Sequence, residues 1–391
     1  MNHISRQRSV KLLTPHITIN VAHHSIYYDN TSPPEQDPLI LSKASYNIGF
    51  RQGEQVGRDN EMIAKGYKQT LISDGLDLLG LALGSLDQSD PSTGTNERGN
   101  EVVNYIPGIP PTCIADLPTI FYGALRNVLH LALEAISMVP NAQYFLLTSI
   151  YELESHTIDT LKQTIPIPIY SIGPAIPYFK LGDNENLSNN FYMQWLDSQP
   201  KASVLYISQG SFLSVSAAQM DEIIAGVHDS SIRIFWVARD EASRIKEAGC
   251  GDNGLVVSWC DQLNVLCYPS VGGFWSHCGW NSIKEGIFAG LLFLTYPIFL
   301  DQVPNSKTVV EDWKIGWKVR RGMGDEMHLV TREEIARLVQ RFMDSETDEG
   351  KEMRRRAAEL KETCRQATSV GGSAETNIDA FIKDISQSHD H

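Results

Sequence analysis

Residues 275–286, WSHCGWNSIKEG, combine side chains whose chemistry suits a phosphorylated ligand. The polar ones are His277, Asn281, Ser282 and Glu285. Asn281 is predicted to open a helix, and a helix N-terminus presents unpaired N–H groups at the positive end of its dipole. Gly279 allows a ligand to approach the backbone closely, and His277 can donate one further hydrogen bond. The sequence therefore predicts a diphosphate site.

Other side chains suit the ribose, the base and the sugar of a nucleotide sugar. Glu285 follows the amide and hydroxyl by one helical turn, where a carboxylate can accept hydrogen bonds from two vicinal ribose hydroxyls. Trp259 ends the apolar run LVVSW, and with Gln262 it suits stacking on a base and reading its edge. Asp301 and Gln302 are planar polar groups of the kind that hold sugar hydroxyls.

Each of these residues also has an ordinary structural explanation. A tryptophan after a strand is usually core, a serine or asparagine before a helix is usually a cap, and an Asp-Gln pair is usually a solvated loop. Their conjunction favours a binding site. A zinc site from Cys260, Cys267, His277 and Cys278 is an alternative, disfavoured because no C-x2-C pair is present and because His277 and Cys278 are adjacent.

The elements around these residues alternate between strands and helices. SVLYISQGS, RIFWVAR, LVVSW, GGFWS and FLTYPI are predicted strands, and SAAQMDEIIAGVHDS is a predicted amphipathic helix with a serine start. This rhythm predicts an α/β fold with a parallel sheet and helices on both faces. The loops SQGS, WCDQ, HCGWNS and FLDQ follow predicted strands, so they should converge on one crevice.

Composition limits the partners. The chain has 391 residues and a formal net charge of -14, which disfavours nucleic acid and favours small molecules as partners. Its six cysteines are scattered without close pairs, which is typical of a reducing compartment. The longest apolar run, residues 287–300, is too short to span a bilayer and contains Gly290 and Pro297. No apolar secretory segment opens the sequence. We expect a cytoplasmic monomer without a membrane span.

Residues 259–302 resemble the signature box of plant secondary-product UDP-glycosyltransferases. The agreeing positions are Trp259, Gln262, Val265, Leu266, Gly273, Phe274, His277, Cys278, Gly279, Trp280, Asn281, Ser282, Glu285, Gly290, Pro297, Asp301 and Gln302. Four segments are most similar to the branch labelled group 87A: WCDQL, SQGSFLSVS upstream of it, and GKEMRRRAAEL and NIDAFIKDI downstream. The family mostly has histidine at the position of Tyr268 and proline at the position of Leu292. The largest effect we expect from these differences is weaker donor binding.

The resemblance implies the GT-B fold, in which two Rossmann-like domains face a cleft. Residues 1–180 would form the acceptor-binding domain, residues 181–190 a linker and residues 191–372 the donor domain. Residues 373–391 would form a helix that returns to the N-terminal domain, with a polar tail. The match is ragged before residue 101, and no strand precedes the first histidine, so we expect an incomplete N-terminal domain that lacks its first strand and is less stable than the rest.

The resemblance also implies a UDP-sugar site. Its residues would be Ser211, Trp259, Cys260, Asp261, Gln262, His277, Gly279, Trp280, Asn281, Ser282, Glu285, Asp301 and Gln302. Trp259 would stack on uracil and Gln262 would touch the uridine. Glu285 would hold the ribose, whereas Ser211 and the groups around His277 would bind the diphosphate. Trp280, Asp301 and Gln302 would address the sugar, and a terminal glutamine is more often associated with glucose.

The implied activity is transfer of glucose from UDP-glucose, a co-substrate, to a small lipophilic acceptor by a single inverting displacement. No permanently bound cofactor and no metal would be needed. His3 is the candidate general base and Asp74 the candidate residue that orients it. One alternative is a catalytically impaired, truncated family member that binds UDP-sugar without efficient transfer. A third hypothesis is a nucleotide-sensing or scaffolding protein, which rests on the same binding residues alone.

Overall fold

The computed structural model describes most of the chain after residue 98. The described ranges are 99–119, 139–178, 191–209, 215–238, 241–250, 254–298, 300–319 and 329–388, with isolated positions 129, 133, 136 and 181. The predicted residues His3, Asp74 and Ser211 lie outside them, as does the predicted linker apart from Leu181.

Two small ladders form the described part before residue 180. Strands β1 (Val102–Val103) and β2 (Thr112–Cys113) pair antiparallel, and 3-10 turns follow at Ile114–Asp116 and Val139–Asn141. Strands β3 (Phe145–Leu147) and β4 (Ile169–Ser171) pair in parallel through helix α1 (Tyr151–Thr164). The crossover buries Ile158 and Leu161 of the helix in a core that includes both strands.

A six-stranded parallel sheet forms the centre of the rest of the described chain. Its strands are β5 (Val204–Ser208), β6 (Arg233–Val237), β7 (Gly254–Val257), β8 (Val271–Ser276), β9 (Leu292–Thr295) and β10 (Gly316–Lys318). The order across the sheet is β10-β9-β8-β5-β6-β7, and all pairs are parallel. The five strands predicted from apolar runs are confirmed as β5 to β9.

Helices connect and cover these strands. They are α2 (Phe191–Asp197), α3 (Ala217–Asp229), α4 (Ala242–Ile245), α5 (Gln262–Leu266), α6 (Trp280–Ala289), α7 (Gln302–Lys307), α8 (Arg332–Met343), α9 (Asp348–Ala367) and α10 (Ser373–Ser388). Side chains fix several starts: Ser216 accepts a hydrogen bond from Gln219 N, and Thr331 forms a capping box with Glu334. None of the described helices is both long and apolar enough to cross a membrane.

Strand β5 is buried along its whole length, with Val204, Leu205 and Ile207 fully excluded from solvent. A strand that is apolar on both faces requires cover on both faces, which explains its continuous rather than alternating pattern. The core also includes the aromatic pairs Tyr206–Phe274 and Phe274–Phe293, whose ring centroids lie 5.1 Å and 5.6 Å apart. These contacts fix the central strands that lead into the candidate site.

Helix α10, the last described helix, packs against strand β4 of the N-terminal part. The Phe381 ring lies edge-on to Tyr144, with centroids 5.6 Å apart. The Tyr170 hydroxyl donates to the Asp384 carboxylate, and the Tyr144 hydroxyl donates to the Asp384 carbonyl oxygen at 3.3 Å. The last described helix is therefore held against the ladder of β3 and β4.

The direction in which strands are added reverses at β5. The chain proceeds from β5 to β6 and β7 on one side, and then returns to place β8 on the other side of β5. Connections leave β5 and β8 in opposite directions, which opens a crevice beyond their carboxyl ends. Ser208 and Ser276 are paired at those ends, and His277 follows directly.

Candidate functional site

The turn between β8 and α6 places a helix N-terminus at this crevice. Ser276 Oγ accepts a hydrogen bond from Cys278 N at 3.0 Å, and Cys278 has a left-handed φ of 66°. The helix consequently begins at Trp280 with Gly279 as its N-cap, and not at Asn281 as predicted. Gly279 has no side chain to cap the first turn, so the N–H groups of that turn are available to an anion.

His277 lies over the glycine that begins the helix. A Cβ at Gly279 would lie 2.6 Å from His277 Nε2, so only glycine allows this packing without displacing the ring. Burial lowers the pKa of His277 to about 4, so the imidazole is neutral at pH 7. Its Nδ1 is buried and makes no hydrogen bond of ordinary geometry with the described residues, while the Ser208 backbone beside the ring opposes the effect of burial on the pKa. A neutral imidazole offers one N–H donor, which suits an anionic ligand at this helix start.

Gln262 joins the β7–α5 loop to helix α6. Its Nε2 donates to Glu285 Oε2 at 2.6 Å and to Ser282 Oγ at 3.1 Å, and its Oε1 accepts from the Tyr206 hydroxyl at 3.0 Å. The shared contact shows that Ser282 and Glu285 occupy one helix face, as their spacing predicted. The Gln262 amide is thus engaged with this chain at both ends, and it holds the Glu285 carboxylate at a defined orientation.

Burial raises the pKa of Glu285 to about 7, and the hydrogen bond from Gln262 and the charge of Lys284 oppose that effect. The Lys284 ammonium donates to the Thr148 carbonyl and hydroxyl oxygens, both at 3.1 Å, directly after β3. This buried lysine anchors α6 to the N-terminal part of the chain. Because an ionised carboxylate accepts hydrogen bonds at both oxygens, the site is best suited to hydroxyl donors above about pH 7.

A second bridge joins the β8–α6 turn to the β9–α7 loop. Asn305 Nδ2 donates to the Cys278 carbonyl oxygen at 3.0 Å and to Asp301 Oδ2 at 2.9 Å. Gln302 Oε1 accepts a hydrogen bond from Ile298 N at 2.8 Å. Burial raises the pKa of Asp301, and the hydrogen bond from Asn305 opposes that effect. Asp301 and Gln302 are therefore fixed beside the helix start.

Four further predicted residues differ in how far their side chains are exposed to a ligand: Trp259, Cys260, Asp261 and Trp280. Trp259 is 66% exposed, which leaves a large aromatic surface beyond the end of β7. The thiol of Cys260 is buried 3.5 Å from the Tyr206 hydroxyl, and Asp261 caps α5 by accepting from Asn264 N, so neither side chain is free to reach a ligand. Trp280 is buried with its ring centroid 6.3 Å from that of Trp313.

Sequence reasoning missed several residues that build the site. Tyr206, Asn305 and Lys284 hold the loops together through buried polar groups. A hydroxyl-bearing Tyr206 in the otherwise aliphatic start of β5, and a lysine in the apolar stripe of α6, are polar groups that need buried partners. Nothing in the sequence indicates which partners those are, because each partner is far away in the chain. Gln262 lies 56 positions from Tyr206, Cys278 lies 27 from Asn305, and Thr148 lies 136 from Lys284. Among the described residues, no three His, Cys, Asp or Glu side chains are grouped to bind a metal.

Comparison with known proteins agrees with this arrangement. The sequence model of one family, described as UDP-glucoronosyl and UDP-glucosyl transferase, matches residues 180–336. UDP-glycosyltransferase 87A2 from Arabidopsis thaliana is 50% identical over 74% of this chain and 63% of its own length. UDP-glycosyltransferase 87A1 from the same plant is 49% identical over 76% of this chain and 67% of its own length. The matched part thus spans about two thirds of these relatives.

A solved structure gives the same result. Phytolacca americana UGT2, in complex with UDP-2fluoro-glucose and pterostilbene, is 28% identical to this chain with a TM-score of 0.67, over 80% of this chain and 68% of the other. This similarity confirms the expected α/β GT-B fold. The resemblance to group 87A, found in the sequence alone, is confirmed by the two Arabidopsis relatives. This chain belongs to the plant UDP-glycosyltransferase family.

Proposed function

We propose that this protein transfers a sugar from a UDP-sugar to a small-molecule acceptor. The observation that carries the proposal is the uncapped N-terminus of α6 beyond β8, with the neutral His277 ring packed over Gly279 and with Glu285 one turn further along the same helix. Anion donors and a ribose acceptor at this spacing match a nucleoside diphosphate.

The donor would be bound in three parts. Uracil would stack on the exposed Trp259 ring, which is the large aromatic surface nearest to Gln262 in sequence. Glu285 would accept hydrogen bonds from the ribose hydroxyls, with Gln262 acting on the carboxylate as a positioning residue. The diphosphate would accept hydrogen bonds from the first N–H groups of α6, from Asn281 and Ser282, and from His277. Ser211 remains a candidate for the same role.

We further propose that the sugar is glucose and that it would be held by Asp301 and Gln302. Asp301 is restrained by Asn305, and a carboxyl group beside an amide can orient two neighbouring sugar hydroxyls. The related Phytolacca enzyme is bound to UDP-2fluoro-glucose and to pterostilbene, which supports a glucose donor and a lipophilic acceptor of similar size. Trp280 would contribute its first-turn N–H group rather than its buried indole.

The reaction would be one inverting displacement. A base removes the acceptor hydroxyl proton, the oxygen forms a bond to the anomeric carbon, and the bond from that carbon to the UDP oxygen breaks with its electron pair on UDP. The negative charge that develops on the diphosphate is stabilised by the N–H groups of α6 and by His277; losing one such donor typically lowers the rate about 100-fold to 1000-fold. His3 and Asp74 remain the candidates for the base and its orienting residue.

Titration calorimetry with UDP and UDP-glucose tests donor binding, and release of UDP in the presence of phenolic acceptors tests transfer. His277→Ala should weaken UDP binding at least about tenfold, because it removes a hydrogen bond to a charged group. His228→Ala is the matched control, since the side chain of this histidine is 50% exposed on α3 and its ring bonds to the neighbouring Asp229. It should bind UDP as the wild type does.

The outcomes separate the hypotheses. Binding with acceptor-dependent UDP release supports the transferase. Binding without release would favour a protein that binds the nucleotide sugar without transferring it, and absence of binding would refute the proposed donor site. A parallel titration with UDP-galactose tests the preference for glucose, because equal affinities would contradict a role for Asp301 and Gln302 in recognising that sugar.

A further inference from the structure

The loop that carries Asp301 and Gln302 is held by a residue 181 positions earlier in the chain. Leu300 N donates a hydrogen bond to Thr119 Oγ1 at 2.7 Å. Thr119 is buried, and it follows the turn Ile114–Asp116 that packs beside α7. This contact joins the segment before β3 directly to the peptide that precedes Asp301.

Leu300 has an unfavourable backbone conformation. Its φ is 53°, in the left-handed region that non-glycine residues adopt only when their surroundings compensate for the strain. The bond from its N–H group to Thr119 is one such compensation, because a loop N–H with no partner would favour a different loop conformation. The backbone position of Asp301, which comes next in the chain, therefore depends on the Thr119 hydroxyl, while its carboxylate is held by Asn305.

A neighbouring ion pair supports the same contact. Lys318 Nζ lies 2.9 Å from Asp116 Oδ1 and 2.8 Å from Glu311 Oε1, with the Lys318 and Asp116 side chains 16% and 12% exposed. Lys318 ends β10, so the turn before Thr119 is tied to the edge of the large sheet. The segment from Asp116 to Thr119 is consequently held at two points, by Lys318 at the edge of the large sheet and by Leu300 in the loop before Asp301.

We propose that Thr119 is a positioning residue for the sugar-binding loop: its hydroxyl holds the left-handed Leu300 peptide and so sets the geometry of Asp301 and Gln302 towards the transferred sugar. This inference rests on the proposed function. The Thr119 hydroxyl bonds the peptide next to Asp301 directly, whereas the β8–α6 turn is reached from that loop only through the Asn305 side chain. We therefore expect a larger effect on the sugar than on the nucleotide.

The test compares two ligands that differ only by the sugar. Thr119→Val keeps the side-chain shape but removes the acceptor for Leu300 N. We expect its Kd for UDP-glucose, measured by titration calorimetry, to rise about tenfold, because the loop is no longer held in the binding conformation and ordering it would oppose binding. Its Kd for UDP should stay within about twofold of the wild-type value. Thr119→Ser retains the hydroxyl and should restore the affinity for UDP-glucose.

Thr112→Val is the matched control. This threonine is also buried and lies in the same segment, but its hydroxyl donates to the nearby Pro110 carbonyl oxygen at 2.7 Å and not to the sugar-binding loop. It should leave both affinities unchanged. If valine at position 119 prevents folding, Thr119→Ala removes the hydroxyl without adding a methyl group and gives the same comparison.

Three results would overturn the inference: equal losses of UDP and UDP-glucose affinity in Thr119→Val, no loss of either, or a loss in Thr119→Ser as large as in the valine variant. Failure of the proposed function is distinguishable, because the wild-type protein would then bind neither ligand. In that case the inference falls with it.

Discussion

Replacing Glu285 by glutamine is expected to stabilise the fold at alkaline pH while weakening nucleotide binding. The wild-type carboxylate is largely removed from solvent, and burial raises its pKa to about 7 from the ordinary 4.5. Glutamine has nearly the same shape and can still accept the hydrogen bond from Gln262 Nε2. It carries no charge to desolvate, however, and it can no longer accept hydrogen bonds at two oxygens.

Proton linkage gives the sign and the size of the stability effect. Between about pH 4.5 and pH 7 the folded chain keeps a proton on Glu285 that the unfolded chain has released. The wild-type free energy of unfolding therefore falls as pH rises through this window, and the contribution present below about pH 4.5 is lost above pH 7. At ~1.4 kcal/mol per pH unit the limit is about 3 kcal/mol. Since partial exposure screens the charge, we expect about 1–3 kcal/mol.

Urea unfolding followed by tryptophan fluorescence, at about pH 5 and about pH 8, measures this difference. The Glu285→Gln variant should be close to the wild type at pH 5 and more stable at pH 8, while its UDP affinity at pH 8 falls at least about tenfold. Glu359→Gln, on the exposed part of α9, is the control and should show neither effect. A stability difference that is the same at both pH values would refute the assigned cause, a buried carboxylate.

Three further substitutions test the groups around Glu285. Gly279→Ala would place a Cβ 2.6 Å from His277 Nε2, so UDP affinity should fall about tenfold while the free energy of unfolding changes by about 1 kcal/mol. Calorimetry measures the affinity and urea unfolding the stability, and an unchanged affinity would contradict a role for the His277 ring in binding. Gln262→Leu breaks the bridge from Tyr206 to Glu285, and we expect a loss of about 2 kcal/mol in stability together with weaker UDP binding; wild-type binding would show that the bridge is dispensable. Because the pKa of His277 is about 4, the pH dependence of UDP affinity between about pH 6 and pH 8 should persist in His277→Gln, and a flattened profile would be inconsistent with a neutral ring.

The sequence predicted the strands of the large sheet because burial on both faces leaves a simple signal. Continuous apolar runs such as those of β5 and β9 have few alternative structures at that length. It also predicted the starting serine of α3, where side-chain capping is local and is confirmed by the contact of Ser216 with Gln219 N. The start of α6 was placed one residue too late, because the left-handed Cys278 that ends the turn has no sequence signature.

Residue types predicted the candidate site better than they predicted the contacts within it. Spacing alone placed Ser282 and Glu285 on one helix face, since that relation depends only on the helical period. Gln262 was interpreted as a group that reads a base, whereas its amide is bonded to Tyr206 and to both of those residues. Which of two polar groups contacts a ligand and which holds the first one in place is decided by tertiary packing.

The same reasoning explains why the two bridges matter to the proposed reaction. At the nucleotide end of the crevice, Gln262 connects Tyr206 to Glu285. At the sugar end, Asn305 connects the turn at Cys278 to Asp301. The first bridge holds helix α6 at Ser282 and Glu285, and the second holds the turn that leads into it at Cys278. Displacement of the start of α6 would therefore move the ribose acceptor and the anion donors together. A site built in this way would bind the diphosphate of the proposed donor without reorganising as charge develops on it. Pre-organised donors of this kind are the largest source of catalysis in many enzymes.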